Sequence, residues 1–124
     1  MSGRILVVED QEDNMRILRD LLTHAGYEIV EAADGEQALV AAAARRPDLI
    51  LMDIQLPVLD GYEATRRIKA DPSLRAIPVI VITSYALSGD ENKAREAGCD
   101  DYVAKPYSPR QLLAKIQQYL PRSP

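Results

Sequence analysis

The sequence contains few residues of the kinds that build disulfide frameworks or histidine-based sites. Of its 124 residues, one is a cysteine, Cys99, and one is a histidine, His24. A single cysteine excludes an internal disulfide and fits a reducing compartment. His24 stands two residues before Gly26, near the end of a predicted helix, where an imidazole interacts with the last carbonyl groups. We therefore expect His24 to have no kinase role and Cys99 to be a small packed residue.

An excess of positive charge and long apolar runs are also lacking. Fifteen Lys and Arg residues face nineteen Asp and Glu residues, giving a net charge of −4 and an isoelectric point near 5.0. A nucleic-acid-binding domain needs the opposite balance. No apolar run approaches the roughly 20 residues of a membrane helix, and the apolar stretch in "MSGRILVVED" is too short for a signal peptide. These absences predict a soluble cytoplasmic protein without nucleic-acid or membrane partners.

The strand pattern predicts a parallel sheet. A hydrophobic content of 47% suffices for one core, so residues 1–124 are expected to form a single domain with a frayed tail at 121–124. Three apolar runs without alternation predict strands buried on both faces. "YEIVEA" alternates and predicts an edge strand, and "YVA" is a weaker candidate. The five predicted strands lie at residues 5–8, 27–32, 49–52, 79–82 and 102–104.

Capping patterns begin the segments between these strands. An Asp or Ser followed three residues later by Glu or Gln satisfies backbone N–H groups at a helix start. Gly26 and Gly98 follow the first and fourth predicted helices, where a left-handed cap is expected. Strand and helix thus alternate five times, which predicts right-handed βαβ units and a doubly wound α/β fold. The capping pairs are Asp34 with Gln37, Asp60 with Glu63, Ser88 with Glu91, and Ser108 with Gln111.

Polar residues follow the predicted strands at the sheet edge where doubly wound folds place their sites. Three carboxylates at short range raise one another's pKa unless positive charge is near. Lys105 supplies one positive charge, and the roughly two negative charges that remain would suit a divalent cation with oxygen ligands, such as Mg²⁺. An acidic edge that is merely solvated is the alternative. The predicted set is Glu9, Asp10, Asp53, Thr83, Ser84 and Lys105.

Asp53 ends an unbroken apolar run, and its chemistry has two interpretations. It could serve as a metal ligand only. A carboxylate can also attack phosphorus to give an aspartyl phosphate when a cation offsets the repulsion between the two anions. A nearby lysine and hydroxyl would then stabilise the charge of the phosphoryl group.

The motifs "VVED", "LILMDIQLPVLDG", "VITS" and "YVAKP" resemble, in order and spacing, the receiver domains of two-component response regulators. The resemblance covers essentially the whole chain. It implies the (βα)5 flavodoxin-like receiver fold, with five parallel strands in the order 2-1-3-4-5. It also implies that Asp53 accepts a phosphoryl group from a sensor histidine kinase or a histidine phosphotransfer protein. The implied Mg²⁺ ligands are Glu9, Asp10, Asp53 and the backbone carbonyl of Gln55.

The resemblance implies roles for five further positions. Thr83 would hydrogen-bond the phosphoryl group, Lys105 would pair with it, and Ser84 would leave room for it. Tyr102 matches the family's aromatic switch, although a plain packing role for this ring is the alternative. The bond between Lys105 and Pro106 is expected to be cis. Phosphorylation would change the face formed by the fourth helix, fifth strand and fifth helix, and so its binding to a downstream protein or to a second copy of the chain.

Two other functional classes fail at the loop after the first strand. A Mg²⁺-dependent phosphohydrolase of the haloacid dehalogenase type places its nucleophile there in an Asp-x-Asp pattern, whereas this chain has Glu9-Asp10-Gln11. A flavin-binding module needs a Ser, Thr or Gly-rich anion cradle, whereas "EDQEDN" would repel a phosphate. We expect a phosphoacceptor that is not an enzyme beyond its own phosphorylation and dephosphorylation. It would act alone or as the receiver of a hybrid kinase or longer regulator.

Overall fold

The computed structural model describes residues 3–83 and 90–120, in which strands and helices alternate. Each observed strand agrees with its predicted range to within one residue at either end. The strands are β1 (Arg4–Val8), β2 (Glu28–Ala32), β3 (Leu49–Asp53), β4 (Val79–Thr83) and β5 (Asp101–Ala104). The helices are α1 (Glu12–His24), α2 (Gly35–Arg45), α3 (Gly61–Ala70), α4 (Asp90–Ala97) and α5 (Pro109–Tyr119). Ser84, Ser88 and the expected frayed tail at 121–124 lie outside the described residues.

The five strands form one parallel sheet in the order β2-β1-β3-β4-β5. This order confirms the predicted doubly wound α/β fold. The weakly alternating β2 lies at an edge and has exposed residues, whereas all residues of β3 and β4 are buried. Unbroken apolar runs therefore occupy the interior of the sheet, because both of their faces are covered.

Two hydrophobic clusters cover the two faces of the sheet. Successive strand residues point to opposite faces, so Leu6 packs toward α2 and α3 whereas Ile5 packs toward α1 and α5. Fully burying a large aliphatic side chain contributes roughly 1.5–3 kcal/mol, and β1, β3 and β4 supply most of these side chains. Leu22 of α1 and Ile116 of α5 are fully buried in the second cluster. The central strands are thereby held rigidly where they reach the candidate site.

Side-chain caps begin α2, α3 and α5 as predicted. Asp34 accepts from the backbone N–H of Gln37 at 2.8 Å, and Asp60 accepts from that of Glu63 at 2.9 Å. Of the caps among the described residues, only Ser108 forms a reciprocal box, in which the Gln111 side chain also accepts from the Ser108 N–H. The Glu63 carboxylate pairs instead with two arginines of its own helix.

The helix ends agree with the glycine pattern. Gly26 and Gly98 have φ values of 99° and 97°, so both adopt the left-handed conformation expected after α1 and α4. Within residues 3–83 and 90–120, none of the helices combines the length and apolar character needed to cross a bilayer.

Candidate functional site

The carboxyl ends of the strands bring four of the predicted polar residues to one edge of the sheet. Glu9 follows β1, Asp53 ends β3, Thr83 ends β4, and Lys105 follows β5. The parallel register aligns these ends: Asp53 stands beside Ile82, the residue before Thr83. Glu9, Asp53 and Thr83 are only 4%, 5% and 1% exposed. Polar groups this buried need partners within the protein or a bound ion.

Carboxylates of three residues converge at this edge. Glu9, Asp10 and Asp53 each place a ligand oxygen within 4.8 Å of those of the other two. Backbone groups hold the two buried carboxylates, because the N–H of Gln11 donates to Glu9 Oε2 at 3.1 Å and that of Gln55 donates to Asp53 Oδ1 at 3.2 Å. Asp10 is exposed and opens the cluster to solvent.

Lys105 supplies the positive charge of the site. Its ammonium lies 3.4 Å from Asp53 Oδ2, and its side chain is 27% exposed. The backbone N–H of Lys105 donates to the Thr83 carbonyl at 2.7 Å, which ties the segment after β5 to the end of β4. The peptide bond between Lys105 and Pro106 is cis, the isomer that the sequence resemblance implies. One oxygen of Asp53 is thus paired with a cation, and its carboxylate remains close to two further acids.

The electrostatics of the cluster are most visible at Glu9. The pKa of Glu9 is raised from 4.5 to about 7, first by burial and then by the charge and hydrogen bond of Asp53, against the lowering effects of the Gln11 N–H and the Lys105 charge. When all three carboxylates are ionised, they and one lysine leave about two negative charges without a protein counter-ion in this cluster. A divalent cation with oxygen ligands fits this donor set, because it would offset that charge without needing nitrogen or sulfur ligands.

Comparison with known proteins identifies the family of this site. The family model described as the response regulator receiver domain matches residues 5–117. The chain belongs to the response regulator receiver family. The receiver fold and its place in two-component signalling are therefore those expected from the sequence motifs.

Individual relatives cover the receiver domain almost completely. Polar-differentiation response regulator DivK of Brucella anthropi is 46% identical over 120 residues, which span 97% of this chain and 98% of DivK. The receiver domain of sensor histidine kinase PA1611 from Pseudomonas aeruginosa, solved with a magnesium ion in its active site cleft, is 42% identical, with a TM-score of 0.90 and coverage of 96% and 98%. Chemotaxis response regulator CheY4 of Vibrio cholerae is 28% identical, with a TM-score of 0.90 and coverage of 97% and 100%.

The loop between β3 and α3 of this receiver is closed by a close backbone approach. The N–H of Gly61 donates to the Ile54 carbonyl at 3.1 Å, and a Cβ at Gly61 would stand 2.2 Å from the carbonyl oxygen of Asp53. Only glycine fits this contact. The sequence pattern marked Asp60-Gly61 as a helix start, but it did not reveal that Gly61 is required beside Asp53.

The same loop contains a backbone feature that the sequence did not predict. Val58 has a φ of 67°, and the N–H of Leu59 donates to the Pro57 carbonyl at 2.7 Å around it. A β-branched residue rarely adopts a positive φ, and no local sequence pattern signals it here. Val58 is also 74% exposed, so its side chain gains little from packing.

The remaining predicted positions lie beside the cluster or outside the described residues. Tyr102 of β5 is half-buried and packs against the hydrophobic cluster that lies between the sheet and helices α2 and α3. It also lines a groove of about 520 Å³ with Lys115 and Gln118 of α5. Ser84 lies outside the described residues. The structure therefore brings Glu9, Asp10, Asp53 and Lys105 together and places Thr83 at the end of the adjacent strand. Tyr102 lies on β5, where it contacts the cluster that packs toward α2 and α3 and lines the groove beside α5.

Tyr107 is a residue near the site that sequence reasoning missed. Its half-buried ring packs against the cluster beneath α1 and α5 and lines a groove with Glu9 and Lys105. Burial, followed by the charges of Glu9 and Asp53, raises the pKa of Tyr107 above its usual value. The available signal was its position two residues after Lys105, directly behind the cis proline.

Proposed function

We propose that Asp53 accepts a phosphoryl group from a phosphohistidine of a sensor histidine kinase or a histidine phosphotransfer protein. The observation that carries this proposal is the buried carboxylate of Asp53, with Lys105 at 3.4 Å and two further acids within ligand distance. A structural aspartate needs one counter-charge, whereas Asp53 has both a lysine that would pair with a phosphoryl group and two acids that would hold a cation.

Mg²⁺ is the proposed cofactor. Glu9, Asp10 and Asp53 would hold it together with the backbone carbonyl of Gln55, and the magnesium-bound receiver of PA1611 supports this assignment by similarity. When bound, Mg²⁺ supplies the positive charge that allows two anions, the carboxylate and the phosphoryl group, to approach. Because Asp10 is exposed, water molecules can complete an octahedral shell on its side.

The residues at the ends of β4 and β5 would bind the phosphoryl group. The Lys105 ammonium would move from Asp53 Oδ2 to a phosphoryl oxygen, which carries more negative charge. The buried Thr83 hydroxyl would donate to a second oxygen, and Ser84 would leave space for the group. Because the Lys105 N–H donates a hydrogen bond to the Thr83 carbonyl, a shift of one of these residues toward the phosphoryl group would also move the other.

A change at Thr83 would reach the face formed by α4, β5 and α5. Tyr102 would turn inward as Thr83 moves and so alter the groove beside Lys115. The result is a shift between two populations of the domain, biased by a covalent ligand. A downstream protein, or a second phosphorylated copy, would bind the changed face in the cytoplasm.

The test is labelling by acetyl phosphate with Mg²⁺. The wild-type chain should form a phosphoprotein that alkali and hydroxylamine cleave, as expected for an acyl phosphate, and Asp53→Asn should form none. Asp13→Asn is the matched control, because Asp13 is an exposed acid on the first turn of α1 that pairs with Arg16 at 3.4 Å. Excess chelator should abolish wild-type labelling. Equal labelling of Asp53→Asn, or equal labelling in chelator, would contradict the proposal.

A further inference from the structure

The segment between β2 and α2 lies between the two loops that carry the proposed Mg²⁺ ligands. On one side, the backbone N–H of Glu9 donates to the Ala32 carbonyl at 3.0 Å. On the other side, Gly35 stands against the loop that follows Asp53. Residues 32–35 therefore touch both halves of the ligand set, although none of them belongs to the cluster of acids.

Gly35 makes its contact through a close approach of two backbones. It is buried at the start of α2, and a Cβ added there would stand 2.2 Å from the Leu59 carbonyl oxygen and 2.9 Å from the Leu59 carbonyl carbon. Ordinary van der Waals contact begins near 3.4 Å. Any side chain at this position would therefore force the helix start and the loop apart by about 1 Å, because protein interiors leave little spare space.

The start of α2 is held in place by local hydrogen bonds and by packing. The Asp34 side chain accepts from the Gln37 N–H at 2.8 Å, and the Gln37 side chain accepts from the Ala33 N–H at 2.9 Å. Ala38 is fully buried in the cluster between the sheet and helices α2 and α3. A side chain added at Gly35 would therefore displace the loop and not the helix.

The loop would pass this displacement on, because it is short and hydrogen-bonded within itself. The Leu59 N–H donates to the Pro57 carbonyl at 2.7 Å, and the Leu56 N–H donates to the Ile54 carbonyl at 3.0 Å. The Gly61 N–H donates to the same Ile54 carbonyl at 3.1 Å and so closes the loop at its base. The proposed carbonyl ligand lies inside this loop, so it moves when the Leu59 carbonyl is displaced.

Resting on the proposed Mg²⁺ site, we propose that Gly35 is a positioning residue for the cation. Its lack of a side chain lets α2 lie directly on the loop and so sets the distance from the Gln55 carbonyl to Glu9 and Asp10. Mg²⁺ requires nearly octahedral ligands at short distances, so a loop displaced by about 1 Å binds it more weakly. Changes to the groups behind metal ligands typically weaken binding about 10–100-fold.

The test measures the Mg²⁺ affinity of Gly35→Ala by NMR titration of backbone amides with MgCl₂. Alanine has a higher helix propensity than glycine, so a loss of affinity cannot come from a weaker helix. We expect an affinity about ten-fold below that of the wild type. The Mg²⁺ concentration for half-maximal labelling by acetyl phosphate should rise by the same factor. If part of the variant is unfolded, both titrations are repeated in trimethylamine N-oxide, which favours the folded state.

Gly98→Ala is the matched control. Gly98 has a φ of 97°, and a Cβ there would stand 3.0 Å from Lys69 Cγ, so alanine should lower the free energy of unfolding. Gly98 lies between α4 and β5, at the edge of the sheet opposite Asp53, so the Mg²⁺ affinity should keep its wild-type value. Wild-type affinity in Gly35→Ala, or an equal fall in Gly98→Ala, would overturn the inference while the cation site itself stood.

Failure of the proposed function gives a different result. If Asp53 and its neighbours hold no Mg²⁺, the wild type itself would show no saturable shift of the Glu9 and Gln55 amides, and chelator would leave its labelling unchanged. That outcome would overturn the cation site and the inference together.

Discussion

The raised pKa of Glu9 predicts that Mg²⁺ binding depends on pH. A protonated carboxyl is a poor ligand for Mg²⁺, so the cation competes with the Glu9 proton. With a pKa of about 7 in the metal-free protein, roughly a tenth of Glu9 is ionised at pH 6 and about nine tenths at pH 8 for a single titrating group. The apparent affinity for Mg²⁺ should therefore be about ten-fold weaker at pH 6 than at pH 8.

The affinity can be measured by NMR titration of backbone amides with MgCl₂ at the two pH values. Glu9→Gln keeps an oxygen ligand without a titrating proton, so its weaker affinity should be nearly the same at both. Glu12→Gln removes an exposed acid that pairs with Arg19 at 3.4 Å, and it should keep the wild-type dependence. Equal wild-type affinities at pH 6 and pH 8, or an unchanged dependence in Glu9→Gln, would refute the reasoning.

The raised pKa of Glu9 also predicts how the stability of the metal-free protein changes with pH. The pKa of Glu9 is higher in the folded protein than its ordinary value of 4.5, so between pH 4.5 and about 7 the folded state binds more protons at this residue than the unfolded state. The contribution of Glu9 to stability is therefore largest below pH 4.5 and is lost as the pH rises through 7. The free energy of unfolding of Glu9→Gln should lack this fall.

Two further predictions concern the frame around the site. Gly61→Ala places a Cβ 2.2 Å from the Asp53 carbonyl oxygen. In urea denaturation, the free energy of unfolding should therefore fall by about 1–3 kcal/mol, and labelling by acetyl phosphate should be slower. Wild-type values for both quantities would contradict the close approach. Lys69→Met should cost about 2 kcal/mol, because the Lys69 ammonium donates to the carbonyls of Arg75 and Ile77 and pairs with Asp100 at 2.8 Å. Lys93→Met, on the exposed side of α4, should be nearly neutral, and an equal loss in both variants would argue against the Lys69 network.

Hydrophobic patterning was sufficient to predict the sheet and the position of Asp53 at its edge. An apolar run such as 49–52 is stable only with both faces covered, so its place in the middle of the sheet followed from composition. The residue that ends such a run must lie where the strand reaches the edge of the sheet, so the sequence alone predicted the position of Asp53. Capping at Asp34 and Ser108 was likewise local, because each pair of partners is three residues apart.

Features that depend on distant contacts could not be predicted in this way. The need for glycine at Gly61 arises from the Asp53 carbonyl, and the engagement of Lys69 arises from Asp100, 31 residues away. The positive φ of Val58 has no local signal in the sequence. The position of Tyr107 beside Glu9 depends on the packing of α1 against the segment after β5.

The central question is which residue carries the phosphoryl group. The direct measurement is peptide mapping by mass spectrometry of the chain after reaction with acetyl phosphate and Mg²⁺, with the acyl phosphate trapped by borohydride reduction. We predict modification at Asp53 alone, on the peptide that contains the end of β3. Modification at Glu9 or Asp10, with Asp53 unmodified, would contradict it.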